Sequence, residues 1–191
     1  MKLMINLIVI GAKGVAASGK FPLGSTTRRL AHYTNYSMLV ARPWDHVRPL
    51  SIILAVDDSP EACRAVEFLC TLSLPNWARI TVVSVAEQNA GIAAGKQFPA
   101  NASQATRQAS LNAAESCMAK VTERLHNCGA QVRRLICCGC PADQILCAAQ
   151  QREAALIVIG ARGQTRVDPF RLGQVTHKVV SCAPCSVLMV E

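Results

Sequence analysis

The chain has 191 residues and is poor in two side-chain classes. Aromatics make up 4%, and acidic residues number 12 against 20 lysines and arginines. Few aromatics leave little to stack on nucleic-acid bases. The basic residues (Arg28, Arg29, Arg42, Arg48, Arg133, Arg134, Arg162, Arg166, Arg171 and Lys178 among them) are scattered, with no run of five. A nucleic-acid partner is therefore not expected. The net charge of +8 suits attraction of a small polyanion at least as well. No stretch of about 18 residues is free of charge, and the longest apolar run, Leu3–Ala12, is too short to span a bilayer. No membrane segment is expected. Met1-Lys2 ahead of Leu3–Ile10 resembles the start of a signal peptide, but a repeat described below accounts for that segment better.

Cysteine is absent before Cys63, although the chain has ten. Only Cys137-Cys138-x-Cys140 and Cys182-Ala-Pro-Cys185 approach the paired spacing of a metal site. Cys63, Cys70, Cys117 and Cys137 fall at positions patterned as buried, where a free thiol behaves as a small hydrophobe. Cys182 and Cys185 should lie at a helix end and a strand start, away from the helix N-terminus that lowers a thiol pKa. Neither a metal centre nor a redox pair is expected, and a reducing cytoplasm fits best.

What is present is an internal repeat. Leu7-Ile8-Val9-Ile10-Gly11-Ala12-Lys13-Gly14 aligns with Leu156-Ile157-Val158-Ile159-Gly160-Ala161-Arg162-Gly163 at an offset of 160 − 11 = 149. The register holds without a gap through Phe21/Phe170, Leu23-Gly24/Leu172-Gly173, Thr27/Thr176, Ser37/Ser186 and Leu39/Leu188. Two unrelated buried strands followed by glycine loops would not keep one register so far.

Around the repeat, apolar strands alternate with helices. Ser51–Val56 is a continuous β-branched run suited to burial on both faces. Asp57-Asp58-Ser59-Pro60 follows as a turn, with Ser59 placed to cap a helix and Pro60 at its first position. Further strands are expected at Arg79–Ala86, Ala130–Cys137, Ala155–Ile159 and Cys185–Val190. Helices are expected at Thr106–Asn127, from Pro141 through Gln150, and at Leu172–Ser181, with a loop at Glu87–Ser103. The pattern predicts an α/β fold with a doubly wound, five-stranded parallel sheet over residues 51–191. Residues 43–50 form a proline-bounded linker, and residues 1–42 a partial strand–helix–strand unit too small to bury a core alone.

Two clusters carry chemistry. Ala55-Val56-Asp57 leaves the first strand of residues 51–191. Gly160, Arg162 and Gly163 leave the fourth, and Gly173-Gln174-Val175-Thr176 follows at a helix start. In such sheets ligands bind beyond the carboxyl ends of the strands, where strand order reverses. Gly160 and Gly163 would let a phosphate approach the backbone, and the helix start would offer N–H groups and its dipole. An aspartate there can accept a hydrogen bond from an adenine amino group or a ribose hydroxyl. A plainer reading remains open at this point, with Asp57 capping a turn and the glycines reversing the chain.

At these residues the chain resembles the universal stress protein family, whose nucleotide-binding members carry G-2x-G-9x-G-[S/T]. Gly160, Gly163 and Gly173 match, as do the Gly139-Cys140-Pro141-Ala142 turn and the closing Ala183–Val190. In the first copy Gly11, Gly14, Gly24 and Ser25 match the motif in full. The resemblance implies a Rossmann-like fold of the adenine nucleotide alpha-hydrolase type. It implies ATP or a related adenine nucleotide, with Mg²⁺ bridging the phosphates. Asp57 would meet the adenosine and Val85 the base, while Gly160, Arg162, Gly163, Gly173, Val175 and Thr176 would hold the phosphates. It also implies a homodimer, or a pseudo-dimer within one chain, through fifth strands.

Gln174 departs from the motif by standing where Ser or Thr is wanted. Glutamine can donate to a phosphate but is longer, so reduced rather than abolished affinity is expected. The first copy has Ser25 but no first-strand aspartate, so neither site is whole. No Walker lysine, metal-binding carboxylate pair or partnered histidine appears, His126 and His177 being isolated in the sequence. The expectation is a regulatory nucleotide-binding protein of the stress response that at most hydrolyses ATP slowly. The alternative is an interaction module whose phosphate site has degenerated.

Overall fold

The structure, a computed structural model, describes residues 7–13, 23–44, 49–86, 104–163 and 172–191. Strand β1 (Leu7–Gly11), helix α1 (Ser25–Tyr33) and strand β2 (Ser37–Ala41) come first. Then follow β3 (Ser51–Ala55), α2 (Pro60–Thr71), β4 (Arg79–Ala86), α3 (Gln104–Asn127), β5 (Gln131–Cys138), α4 (Pro141–Gln151), β6 (Leu156–Gly160), α5 (Gln174–Cys182) and β7 (Ser186–Val190). The Glu87–Ser103 loop, Gly14, Met1–Asn6 and the middle of the linker lie outside the described residues.

The seven strands form one sheet in the order β1-β2-β7-β6-β3-β4-β5. Five strands were expected; the partial unit adds β1 and β2 to the same sheet because β2 pairs with β7. That pairing is antiparallel, and the other five are parallel.

Helices cover both faces, so the central strands have no polar side. On β3, Ile52 and Leu54 enter the layer beneath α2 and α3, while Ile53 and Ala55 enter the layer beneath α1, α4 and α5. Burying each of the three larger side chains contributes about 1.5–3 kcal/mol. Helix α2 starts as its sequence suggests, with Ser59 Oγ accepting from the Ala62 N–H at 3.1 Å and Pro60 at the first position. It buries Ala62, Ala65, Val66 and Leu69. Cys63 is exposed, contrary to the sequence pattern, because it lies about 100° around the helix from Ala62. Cys70 and Cys137 are half-buried, and Cys117 and Cys185 are buried.

Helix α3 closes at Gly129, whose φ of +77° suits glycine; its N–H donates to the His126 carbonyl at 2.9 Å. Helix α5 begins two residues later than expected. Gly173 is still extended there (φ −60°, ψ 146°) and donates its N–H to the Ala161 carbonyl at 3.0 Å.

Candidate functional site

Strands β3 and β6 are neighbours, and the chain leaves them in opposite directions, toward β4 and β7. This is the topological switch point, the place beyond the carboxyl ends at which sheets of this kind bind ligands. Ala55 and Val56 are buried and lead straight to Asp57, since Val56 extends the ladder by donating to the Val83 carbonyl at 2.9 Å. Asp57 Oδ1 accepts from the Ser59 N–H at 3.1 Å and from the Ser59 hydroxyl. One carboxylate oxygen therefore supports the turn, as the plainer reading had it.

The other oxygen faces the loop after β6. A Cβ built on Gly163 would lie 2.9 Å from Asp57 Oδ2. Gly173 packs less closely: its Cβ would meet Arg162 Cα at 3.3 Å, the Ala161 carbonyl oxygen at 3.4 Å and Gly163 N at 3.7 Å. Asp57, Gly163 and Gly173 are thus gathered at one place, with the start of α5 beside them. The first-turn N–H groups of that helix have no intrahelical partners by construction.

Gly160 does something different. A Cβ there would strike Glu61 Cβ at 2.8 Å, the Glu61 carbonyl carbon at 2.9 Å and Ala62 N at 3.1 Å. Its missing side chain admits the start of α2. Thr176 is likewise spent on structure, its buried hydroxyl donating to the Gly160 carbonyl at 2.8 Å. Gln174 is exposed at the first position of α5, Val175 is half-buried, and Val85 is half-buried on β4.

Arg162 lies between two carboxylates that sequence reasoning did not link to it. It pairs with Glu191 and sits 3.8 Å from Oε1 of Glu61, which is wholly buried and also meets Arg64 at 3.0 Å. These four charges sum to zero, so the mouth of the loop is less cationic than Arg162 alone suggests. Beneath Asp57, Cys117 Sγ donates to its carbonyl oxygen at 3.4 Å. Burial, and secondarily Asp58 and Asp57, push that thiol up to about 11.

The first unit reproduces the loop's hydrogen bonds. Thr27 Oγ1 donates to the Gly11 carbonyl at 2.9 Å and the Gly24 N–H to the Ala12 carbonyl at 2.8 Å, each 149 residues before its counterpart. Ser25 is the exposed first residue of α1. His177 is not isolated, as its sequence neighbourhood suggested. Its ring lies 4.8 Å from that of His32, where α1 meets α5. The repeat offset does not relate these two histidines, so no sequence signal marked them.

An α/β sheet wound on both faces, with a glycine loop facing an aspartate at its switch point, defines a doubly wound, Rossmann-like fold. Residues 50–191 match the model of the universal stress protein family, and the chain belongs to that family. It is 26% identical to universal stress protein YxiE of Bacillus subtilis over 148 residues, which are 73% of this chain and 97% of that protein. A putative universal stress protein from Pseudomonas aeruginosa superposes with a TM-score of 0.68 at 17% identity, over 97% of this chain and 63% of that one. A universal stress protein solved in complex with cAMP has a TM-score of 0.56 at 19% identity, over 75% of this chain and 97% of that one. Among the described residues no helix is long and apolar enough to cross a membrane.

Proposed function

We propose that the second unit binds ATP or a related adenine nucleotide beyond the carboxyl ends of β3 and β6, and that the protein is a cytoplasmic regulator in the stress response rather than a fast enzyme. The observation that carries this reading is the approach of Gly163 to Asp57, 2.9 Å from the carboxylate to the position of the missing Cβ. A side chain at Gly163 would fill the space that separates the aspartate from the phosphate loop. The fold-mate in complex with cAMP supports an adenine nucleotide as the ligand class.

In this reading Ala55 and Val56 deliver Asp57 to the adenosine, and Val85 lines the base. The backbone of Gly163, Gly173, Gln174 and Val175 holds the phosphates, assisted by the dipole of α5. Gly160 and Thr176 act one step back, by fastening the loop and helix to β6. Mg²⁺ would be carried on the nucleotide's phosphates, as is usual for this ion in nucleotide sites. Among the described residues no aspartate-bearing strand pairs with the outer edge of β1, and the nucleotide is assigned to the second unit alone. The antiparallel β2–β7 junction takes the place of a dimer contact within one chain.

A second reading is an interaction module with a degenerate phosphate site. It is favoured by the ion pairs that hold Arg162 and by Gln174 in place of a hydroxyl. Equilibrium dialysis with ATP, comparing wild type with Gln174→Ser, separates the two. The nucleotide reading expects wild type to bind and Gln174→Ser to bind about tenfold tighter, the worth of one charge-assisted hydrogen bond. Binding by Gln174→Ser alone would favour the degenerate site. Binding by neither would remove the nucleotide reading.

A further inference from the structure

Two cysteines meet in the fold although 128 − 70 = 58 positions separate them in the chain. Cys70 is the last residue but one of α2, and Cys128 is the first residue beyond α3. Leu69 and Leu125, each 1% exposed, pack the ends of these helices into one core layer. Beside them Arg124 pairs with Glu67 at 3.0 Å. Cys70 lies three residues beyond Glu67 and Cys128 four beyond Arg124, so the next turn of each helix brings the two thiols together. They are within hydrogen-bonding reach of each other, and both line one cavity with Leu74 and Pro75.

Both are free thiols, but Cys128 is exposed while Cys70 is half-buried. Burial, and next the hydrogen bond to Cys128, push the Cys70 thiol up to about 11. A protonated thiol is thus held beside a more accessible one. The backbone around Cys128 is fixed: its N–H donates to the Leu125 carbonyl at 3.1 Å, as does that of Ala130, also at 3.1 Å. The pair stands about 15 Å along α2 from the helix start beside Asp57, well away from the proposed nucleotide site. No paired spacing marks it in the sequence, since only the packing of α2 on α3 joins its members.

We propose that Cys70 and Cys128 form a reversible disulfide when the protein meets a hydroperoxide, clipping the end of α2 to the end of α3. With hydrogen peroxide, the Cys128 sulfur attacks one oxygen. An S–O bond forms, the O–O bond breaks, and water leaves with the thiol proton, giving a sulfenic acid. The Cys70 sulfur then attacks the Cys128 sulfur. The S–S bond forms, the S–O bond breaks, and a second water carries off the Cys70 proton. Two electrons pass from the sulfurs to the peroxide. Two equivalents of a small thiol reverse the change by exchange and end as their own disulfide. Transient disulfides of this kind are the ones that reducing compartments hold. The bond encloses β4 and α3 in a covalent ring, which makes the oxidised chain harder to unfold.

The test treats the full, reduced chain with equimolar hydrogen peroxide, followed by thiol titration and peptide mapping without reductant. Two of the ten free thiols should disappear, and the predominant cross-linked peptide should join Cys70 to Cys128. Tm should rise by roughly 10 °C, and dithiothreitol should restore both thiols and Tm. In Cys70→Ser, dimedone should trap Cys128 as the sulfenic acid, with no rise in Tm. In Cys128→Ser, loss of the Cys70 thiol should slow by about tenfold or more. The same treatment in urea should abolish the preference for this pair, because the fold no longer holds it. A disulfide mapped elsewhere while Cys70 and Cys128 stay free would overturn the proposal. So would oxidation of Cys128 to the sulfinic acid without a cross-link, or an equal yield of the bond in urea. These readouts follow sulfur alone, so they stand or fall apart from nucleotide binding.

Discussion

Leu39 lies opposite Leu188 where β2 meets β7, and each is the other's counterpart in the 149-residue repeat. A pseudo-two-fold axis therefore passes between them. The flanking pairs, Met38 with Met189 and Val40 with Val187, exchange places under it. So do two cross-junction hydrogen bonds, from the Arg42 N–H to Ser186 Oγ at 3.0 Å and from the Glu191 N–H to Ser37 Oγ at 3.2 Å.

The two bonds are equivalent, but Ser186 Oγ also donates to the Arg42 carbonyl at 3.3 Å. Ser37→Ala should cost about 0.5–1.5 kcal/mol, lowering Tm by roughly 2–4 °C per kcal/mol, and Ser186→Ala should cost more through the second bond. Thermal unfolding of the two variants checks this. A larger loss from Ser37→Ala would contradict it.

Gly160 and Gly163 should separate stability from binding. Gly160→Ala forces a methyl into the backbone of α2, at 2.9 Å from a carbonyl carbon, and should cost about 1–3 kcal/mol. Gly163→Ala meets only the end of the Asp57 side chain, so its effect on urea unfolding should be small while nucleotide affinity falls. Equal destabilisation by both would put Gly163 in the same structural role as Gly160.

Thr176→Val removes the donor to the buried end of β6 and should cost about 1–3 kcal/mol through the orphaned Gly160 carbonyl. Thr27→Val removes the equivalent bond, but Gly11 is exposed, so water can replace it and the loss should be smaller. Comparison of the two Tm values checks this.

How far the sequence reveals this architecture differs from one residue set to the next. The strands of residues 51–191, the capped start of α2 and the long helix α3 follow from local pattern, since buried strands and amphipathic helices impose their own periodicity. The repeat also revealed the two strands and the helix at Leu7–Gly11, Ser25–Tyr33 and Ser37–Ala41. The differing roles of Gly160 and Gly163 did not appear, because both satisfy one motif and only the packing of α2 distinguishes them. The Arg162–Glu191–Glu61 group was invisible for a similar reason. Its members are far apart in the chain and meet only when β6 lies between β7 and β3.

The buried thiols predict the alkaline limit of stability. Burial first of all raises Cys185 and Cys117 from 9.0 to about 11. The folded state then holds protons that the unfolded state releases between those values. Stability should be fully present below about pH 9 and decline as pH rises toward 11. Unfolding midpoints at pH 8 and pH 10.5 check this (conditions chosen to be about one unit below and most of the way through the window). The slope should be shallower in a Cys117→Ala, Cys185→Ala double variant.

The proposed nucleotide site is single and imperfect, and lies in the second unit where Gly163 meets Asp57. Isothermal titration calorimetry of the purified chain with Mg-ATP, repeated on Gly163→Val and Asp57→Ala, tests it most directly. The account predicts a single site per chain, affinity in the micromolar range or tighter, and loss of binding in both variants with their folds intact. No binding of ATP, ADP or AMP by the wild-type chain, or binding unaffected by Gly163→Val, would contradict it.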